Sequence, residues 1–133
     1  MSNDFSKRLQ GLADLPGSVL AGGRRGVEKE CLRIDTSGRL STRPHPQGLG
    51  SALTNRYITT DFSEALLEFV TPALSSTWEA LRCVCDLHQF TYTELEDELL
   101  WASSMPCLIP ADKDIPLARY GKSNVGNMKT IYR

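Results

Sequence analysis

The chain has 133 residues, 41% of them hydrophobic, which is enough for a packed core and too apolar for a disordered chain. Fifteen basic and sixteen acidic residues leave a net charge of −1, which gives no support to a nucleic-acid or anionic-membrane surface. No apolar run approaches the roughly 20 residues that span a bilayer, and the amphipathic start lacks the apolar region of a signal peptide. We therefore expect one soluble, cytoplasmic domain with no nucleic-acid or membrane partner.

The first predicted element is a helix over residues 4–14, and a turn-rich connector after it completes an N-terminal segment over residues 1–20. One apolar stripe on this helix is expected to face inward: Phe5, Leu9 and Leu12. The turn-forming stretch DTSGR then leads toward a short partner strand around Leu40. The main strands are predicted at 24–34, 56–60 and 65–71. The Pro- and Gly-rich stretch between the first two is expected to be a loop with one helical turn.

The clearest helix is predicted over residues 77–98, where Ser76 and Glu79 fit a capping box. Its apolar residues recur at intervals of three and four and are expected to face inward: Trp78, Leu81, Cys85, His88, Tyr92 and Leu95. Strands followed by a long helix and Pro-punctuated loops indicate the α+β class.

The cysteines and histidines assemble no recognisable catalytic or zinc-binding pattern. The four cysteines lack a C-x-x-C pair, so we expect reduced thiols packed as small hydrophobes: Cys31, Cys83, Cys85 and Cys107. His45 lies in the sequence RPHP and is expected in an exposed loop. His88 is expected to be a satisfied core residue on the long helix.

Two predicted strands carry acids among apolar residues. Glu28 and Glu30 are two residues apart, so a strand points both to the face that continues into Leu32 and Ile34. In ALLEFVT, Glu68 has apolar neighbours on both faces, which predicts a central, covered strand. An unpaired ionised carboxylate in such a place raises its pKa or destabilises the fold, so it requires a basic partner or a metal ion.

Asp61 and Glu64, in TTDFSEA, add two carboxylates near the end of the preceding strand. Acids brought to one mouth of a sheet repel one another unless cations lie among them, and Mg²⁺ or Mn²⁺ suits such a set of oxygen ligands. Two interpretations stay open at this point. The acids hold a divalent metal, or those of the first strand lie on a solvated edge or pair with a neighbouring arginine: Arg24, Arg25 or Arg33.

The chain resembles the glutamate–cysteine ligases of the proteobacterial type in four stretches that occur in the family's order and separations. They are RGVEKECLR (25–33), SALTNRYITTDFSEALLEFVTP (51–72), SMPC (104–107) and ARYGKSNVGNMKTIYR (118–133). The resemblance covers residues 21–133. It implies a curved, largely antiparallel sheet with flanking helices, related to the catalytic fold of glutamine synthetase.

The activity implied is the ATP-dependent joining of the γ-carboxylate of L-glutamate to L-cysteine, the first step of glutathione biosynthesis. ATP phosphorylates glutamate to γ-glutamyl phosphate, which the cysteine amine attacks to give γ-glutamylcysteine. Mg²⁺ or Mn²⁺ neutralises charge on the phosphoryl group. By motif, the resemblance assigns four metal ligands: Glu28, Glu30, Asp61 and Glu68. It assigns Phe62 and Tyr132 to the walls of the pocket for the cysteine side chain, and Arg133 to an anionic substrate group.

Members of the family are several times longer than 133 residues. The resemblance therefore implies an N-terminal fragment of a catalytic domain, with half a sheet, an unpaired sheet edge and no turnover by itself. Two alternatives stay open: another ATP-dependent carboxylate–amine ligase of the same superfamily, or a non-catalytic fragment that at most binds a divalent metal.

Overall fold

A computed structural model of the chain describes residues 2–109 and 111–131. The helices are α1 (Ser2–Ala13), α2 (Gly17–Leu20), α3 (Thr77–Glu94) and α4 (Asn124–Ile131). The strands are β1 (Glu28–Ile34), β2 (Ile58–Thr60), β3 (Leu66–Val70) and β4 (Leu99–Leu100). Single 3₁₀ turns cover Gln47–Leu49 and Asp112–Asp114. Within the described ranges, no helix combines the length and the apolar character that a membrane crossing requires.

The four strands form one sheet in the order β2-β3-β1-β4, and every pairing in it is antiparallel. Because β3 lies between β2 and β1, the prediction that the strand of Glu68 is internal to the sheet is confirmed. The turn after β1 also forms as predicted: Gly38 takes a φ of +81°, and Leu40 bridges back to Ile34. The α+β class with an antiparallel sheet is confirmed.

One face of the sheet carries the main hydrophobic core. Alternate residues of β1, β2 and β3 point to this face, where α3 and the segment after it cover them. The buried members of this cluster are Cys31, Leu49, Ile58, Leu67, Phe69, Leu95 and Leu100. A second, smaller cluster joins the end of β1 to the loop after β4: Ile34, Leu40, Ala65 and Cys107.

The start of α3 is fixed by the predicted capping box. The Ser76 hydroxyl accepts the amide N–H of Glu79 at 3.0 Å, and the Glu79 carboxylate accepts the Ser76 amide at 3.1 Å. The helix ends at Glu94, four residues before its predicted end. Its acidic C-terminus opposes the helix dipole, and Glu96 takes a positive φ of 55° that no helix continues.

The predicted inward face of α3 is wrong in part. Trp78 is 75% exposed, and Leu81, Cys85 and Tyr92 are exposed as well. The face that packs on the sheet is rotated around the helix axis and contains small or polar residues such as Ala80 and Thr91. The apolar periodicity did not decide which face packs on the sheet, because α3 carries apolar residues on two sides. Of the predicted stripe, His88 packs edge-on against Phe69 with ring centroids 4.8 Å apart, and Leu95 is buried.

The apolar stripe of α1 is not buried either. Its three residues are exposed in the described structure: Phe5, Leu9 and Leu12. Asp4 lies inside the first turn, where it pairs with Arg8 at 3.0 Å. The sequence pattern identified the helix correctly, but amphipathicity does not show what a helix packs against.

All four cysteines are free thiols, as expected. Cys31 and Cys107 are buried, whereas Cys85 on α3 is exposed and therefore does not pack as a core residue. Strand β4 and helix α4 were not predicted, because β4 is only two residues long and α4 lies in a stretch with several glycines and polar residues.

Candidate metal and substrate site on the sheet

The acids of β1 and β3 meet on the sheet face opposite the main core. The β1–β3 register places Glu30 directly across from Glu68, and Glu28 across from Val70. Side chains of directly opposed residues have Cβ atoms about 5 Å apart, so the carboxylates of Glu30 and Glu68 are held close together. Asp61 precedes the β2–β3 turn, where its amide donates to the Leu66 carbonyl at 3.0 Å. We call Glu28, Glu30, Asp61 and Glu68 the acidic cluster.

The electrostatics of the acidic cluster centre on Glu68. Partial burial raises the pKa of Glu68, and the negative charges of Glu28, Asp61 and Glu30 raise that pKa further, in decreasing order. Glu28, Glu30 and Asp61 therefore lie near enough to Glu68 for their charges to act on it. Glu28 and Glu30 are exposed, whereas Asp61 and Glu68 are half-buried. The expectation that both faces of β3 are covered is therefore wrong for the residues described here.

A lysine approaches the acidic cluster from α4. The Nζ atom of Lys129 donates to the main-chain carbonyl of Asp61 and lies 4.8 Å from the ring centroid of Tyr120. Its charge opposes the increase in the pKa of Glu68. Sequence reasoning missed Lys129, since a lysine in a polar tail gives no sign of which acids it will meet.

The arginine pairs that competed with the metal interpretation do not form within the described ranges. Arg33 points to the opposite face and pairs with Glu98, while Arg24 donates to the Ala73 carbonyl at 2.9 Å. The ion pairs found among the described residues include neither Glu28 nor Glu30. Among the described residues, Lys129 is a cation whose charge acts on Glu68. It contacts Asp61 through the main-chain carbonyl.

The donor chemistry of the acidic cluster fits a hard divalent cation. All four side chains offer carboxylate oxygens, which are the ligands that Mg²⁺ and Mn²⁺ prefer. Burial first, and then the charges of the other three acids, raise the pKa of Glu68, and a bound cation would oppose this increase. The four carboxylates do not converge on one point. Among the described residues, no group of three or more acids, histidines or cysteines is arranged to hold a metal. The residue types, four carboxylates, nonetheless fit the metal.

Glu64 does not belong to the acidic cluster, although it follows Asp61 by three residues. Its carboxylate is buried and accepts two main-chain amides, from His45 at 2.9 Å and from Arg119 at 2.6 Å. This carboxylate therefore fastens two loops to the β2–β3 turn and is not available to ligate a metal at the cluster.

Of the three predicted substrate residues, one lies in the β2–β3 turn and two lie outside the described residues. Phe62 is 40% exposed and borders a cavity of about 270 Å³ with Ile115 and Leu117. This position suits a pocket wall. Tyr132 and Arg133 lie outside the described residues.

The model of the glutamate–cysteine ligase family matches residues 9–133. The chain belongs to this family. It is 52% identical to glutamate–cysteine ligase of Pseudomonas putida (strain W619) over an alignment of 134 positions, which covers 100% of this chain and 25% of that protein. It is 56% identical to the Alcanivorax borkumensis enzyme of the same name over 116 residues, 87% of this chain and 22% of the relative. The chain thus spans about a quarter of the length of these relatives.

Two solved structures share the fold. The crystal structure of glutamate–cysteine ligase from Francisella tularensis in complex with AMP matches with a TM-score of 0.78 and 42% identity, over 84% of this chain and 22% of that one. A bifunctional glutathione synthetase from Pasteurella multocida matches with a TM-score of 0.73 and 33% identity, over 80% of this chain and 16% of the other. The family and the fold implied by the sequence resemblance are confirmed.

Proposed function

We propose that this chain supplies the N-terminal part of the catalytic domain of a glutamate–cysteine ligase, which joins L-glutamate to L-cysteine at the expense of ATP. One observation carries the proposal. In a chain of this family, Glu30 and Glu68 oppose each other directly on neighbouring strands, with the charges of Glu28 and Asp61 acting on Glu68. Directly opposed like charges destabilise a sheet, so their presence favours a functional role for that charge.

The acidic cluster would hold Mg²⁺ or Mn²⁺ through its carboxylate oxygens: Glu28, Glu30, Asp61 and Glu68. A bound divalent ion would neutralise charge on the phosphoryl group that moves from ATP to glutamate. The strands contribute rigidity, because Cys31, Leu67 and Phe69 anchor the opposite face in the core and so fix the backbone of β1 and β3. Lys129 adds a fixed positive charge beside Asp61.

The substrate residues form the less direct part of the proposal. Phe62 and Tyr132 would form walls of the pocket for the cysteine side chain, and Arg133 would face an anionic substrate group. The exposure of Phe62 at a cavity rim supports its assignment. Binding of AMP by the Francisella tularensis relative supports ATP as the nucleotide. The four free thiols support a reducing compartment, the cytoplasm.

A chimera tests the proposal. Residues 1–133 of this chain replace the matching segment of the Pseudomonas putida relative, to which they are 52% identical. We expect the chimera to hydrolyse ATP only when glutamate, cysteine and Mg²⁺ are all present, and to release γ-glutamylcysteine. The 133-residue chain alone is expected to give no turnover, because it spans a quarter of that relative.

Two results would count against the proposal. A folded chimera that hydrolyses ATP equally well without cysteine would favour another carboxylate–amine ligase. Turnover by the 133-residue chain alone would show that the acids described here suffice without the rest of a ligase. Circular dichroism of each protein serves as the folding control.

A further inference from the structure

The ammonium group of Lys129 is a positive charge beside the acidic cluster that no ion pair neutralises. Lys129 lies on α4, 68 residues along the chain from Asp61, and its Nζ atom donates to the Asp61 main-chain carbonyl. Its charge acts on the Glu68 carboxylate in opposition to the neighbouring acids. The ion pairs found among the described residues do not include Lys129. The charge therefore remains available to act on the cluster.

Tyr120 fixes the position of this ammonium. The Lys129 Nζ atom lies 4.8 Å from the centroid of the Tyr120 ring, which is within the range of a cation–π contact. The Tyr120 hydroxyl donates to the Thr60 carbonyl and accepts the Thr60 hydroxyl at 2.8 Å. Thr60 is buried at the end of β2, directly before Asp61. The ammonium is thus held by two partners that are both attached to the end of β2.

A glycine lets α4 approach the segment that carries Tyr120. A Cβ atom at Gly126 would lie 2.6 Å from the Gly121 carbonyl oxygen, which is too close for any side chain. The Gly126 amide also donates to the Ser123 hydroxyl at 3.1 Å. Because Gly126 precedes Lys129 by three residues, the two lie on the same side of α4. The close backbone contact therefore orients the side of α4 that carries Lys129.

Lys129 and a divalent ion would compete for the same negative charge. Without a metal, the ammonium offsets part of the repulsion among the carboxylates, which lowers the free energy of the metal-free protein. With a metal, the ammonium and the divalent ion repel each other, which raises the free energy of the metal-bound protein. Both effects act in the same direction. A lysine in this position therefore weakens the binding of a free divalent ion.

We propose that Lys129 is a positioning residue that serves as an internal counter-ion of the acidic cluster. It holds the end of β2 through the Asp61 carbonyl, and its charge keeps the affinity of the cluster for a free divalent cation low. The inference rests on the proposed metal site. It adds to that site a residue of α4 that is not a metal ligand but controls how tightly the carboxylates hold the ion.

The test titrates the Pseudomonas putida chimera with Mn²⁺ alone, without nucleotide or amino acids, and measures bound and free Mn²⁺ by electron paramagnetic resonance. Glu68→Gln identifies the ion that the acidic cluster holds, because it removes one carboxylate of the cluster. The titrations are made at about pH 7.5, well above the ordinary glutamate pKa, so that the carboxylates are ionised in every variant. We expect Lys129→Met to lower the Kd of this ion at least about threefold.

Two further variants separate the charge of Lys129 from its contacts. Lys129→Gln removes the charge but keeps an N–H donor for the Asp61 carbonyl, and it should tighten Mn²⁺ binding as Lys129→Met does. Lys129→Arg keeps the charge and should bind Mn²⁺ as the wild-type chimera does. A lysine that only held α4 in place would give no tightening in any of these variants.

Lys7→Met is the matched control, because it removes one positive charge from an exposed position on α1 and should leave the Kd unchanged. Circular dichroism shows whether each variant is folded. If the wild-type chimera holds no ion that Glu68→Gln releases, the proposed metal site fails and this inference fails with it. If that ion is present but the folded Lys129→Gln or Lys129→Met chimera binds it no more tightly than wild type, the role of Lys129 alone is overturned.

Discussion

Arg33 is the residue whose burial most constrains this fold. Its guanidinium is fully buried and donates to Glu98 at 2.7 Å, to the Arg43 carbonyl at 2.8 Å and to the Glu64 carbonyl at 3.1 Å. The ion pair of Arg33 with Glu98 joins the end of β1 to the segment before β4. Arg33 Nε and Glu98 Oε1 have no partner among the described residues, so the pair is not fully satisfied.

Removal of one member of this pair should be costly. Arg33→Met leaves the Glu98 charge buried and unpaired, and we expect the free energy of unfolding to fall by about 3–5 kcal/mol. The double variant Arg33→Met/Glu98→Met removes both charges and should recover much of that loss. Urea denaturation monitored by circular dichroism measures both. A loss below about 1 kcal/mol for Arg33→Met would mean that water already solvates the pair.

The site residues differ in how far sequence could predict them. Glu28 and Glu30 were placed on one face of β1 by strand periodicity, which needs no tertiary information. The position of Glu68 on the same face of the sheet depends on the β1–β3 register. Glu64 was grouped with them because it is near Asp61 in the chain, but two main-chain amides from distant loops hold its carboxylate elsewhere. Lys129 was missed for the same reason, since its contact with Asp61 spans 68 residues of sequence.

At the scale of single elements, α3 depends on its N-terminal capping box. Hydrogen bonds from the Ser75 hydroxyl and from Ser76 hold the pKa of Glu79 below its ordinary value. The ionised form is thus favoured in the folded state. The stability that this carboxylate contributes is complete above its ordinary pKa and is lost as pH falls through the lower folded-state value.

The pH dependence gives a direct comparison. Glu79→Gln keeps an acceptor for the capping box but cannot ionise. We therefore expect the wild-type protein to have the higher unfolding temperature at neutral pH, and the difference between the two unfolding temperatures to become smaller in acid. Thermal unfolding of both proteins between about pH 7 and pH 3 measures this, because that range spans the ordinary glutamate pKa. A difference that stays constant over the range would show that the carboxylate charge has no part in the cap.

Two residues of the stripe predicted to face inward should respond differently to truncation: Trp78 at the start of α3 and Leu95 just after its end. Trp78 is 75% exposed and Leu95 is 2% exposed. We expect Trp78→Ser to change the free energy of unfolding by about 0.5 kcal/mol or less, and Leu95→Ala to reduce it by about 2–5 kcal/mol. Denaturant titrations of the two variants of this chain compare them directly. If Trp78→Ser were as damaging as Leu95→Ala, Trp78 would be buried against the core, as periodicity predicted.

The elements themselves were easier to predict than their packing. Strand alternation, the capping box and the Gly38 turn are local patterns, and each formed where predicted. The packing faces of α1 and α3 failed because a stripe of apolar residues specifies a buried surface only when its partner is known. The burial of His45 likewise depends on Glu64, which lies 19 residues along the chain.

At the scale of the whole molecule, the two faces of the sheet differ in what they contact. One face is packed by α3 and holds the backbone, while the other presents carboxylates that a core could not tolerate. The relatives to which this chain is about 52% identical are about four times as long, and we expect residues outside this chain to complete the proposed metal site.

The central claim is that the carboxylates of the cluster hold the divalent metal of a ligase. It is tested most directly by the kcat of the Pseudomonas putida chimera bearing Glu68→Gln, compared with Asp86→Asn on the exposed side of α3. We predict that Glu68→Gln lowers Mg²⁺-dependent turnover at least about 100-fold without loss of circular dichroism signal, and that Asp86→Asn leaves turnover unchanged. Wild-type turnover in the folded Glu68→Gln chimera would contradict the account.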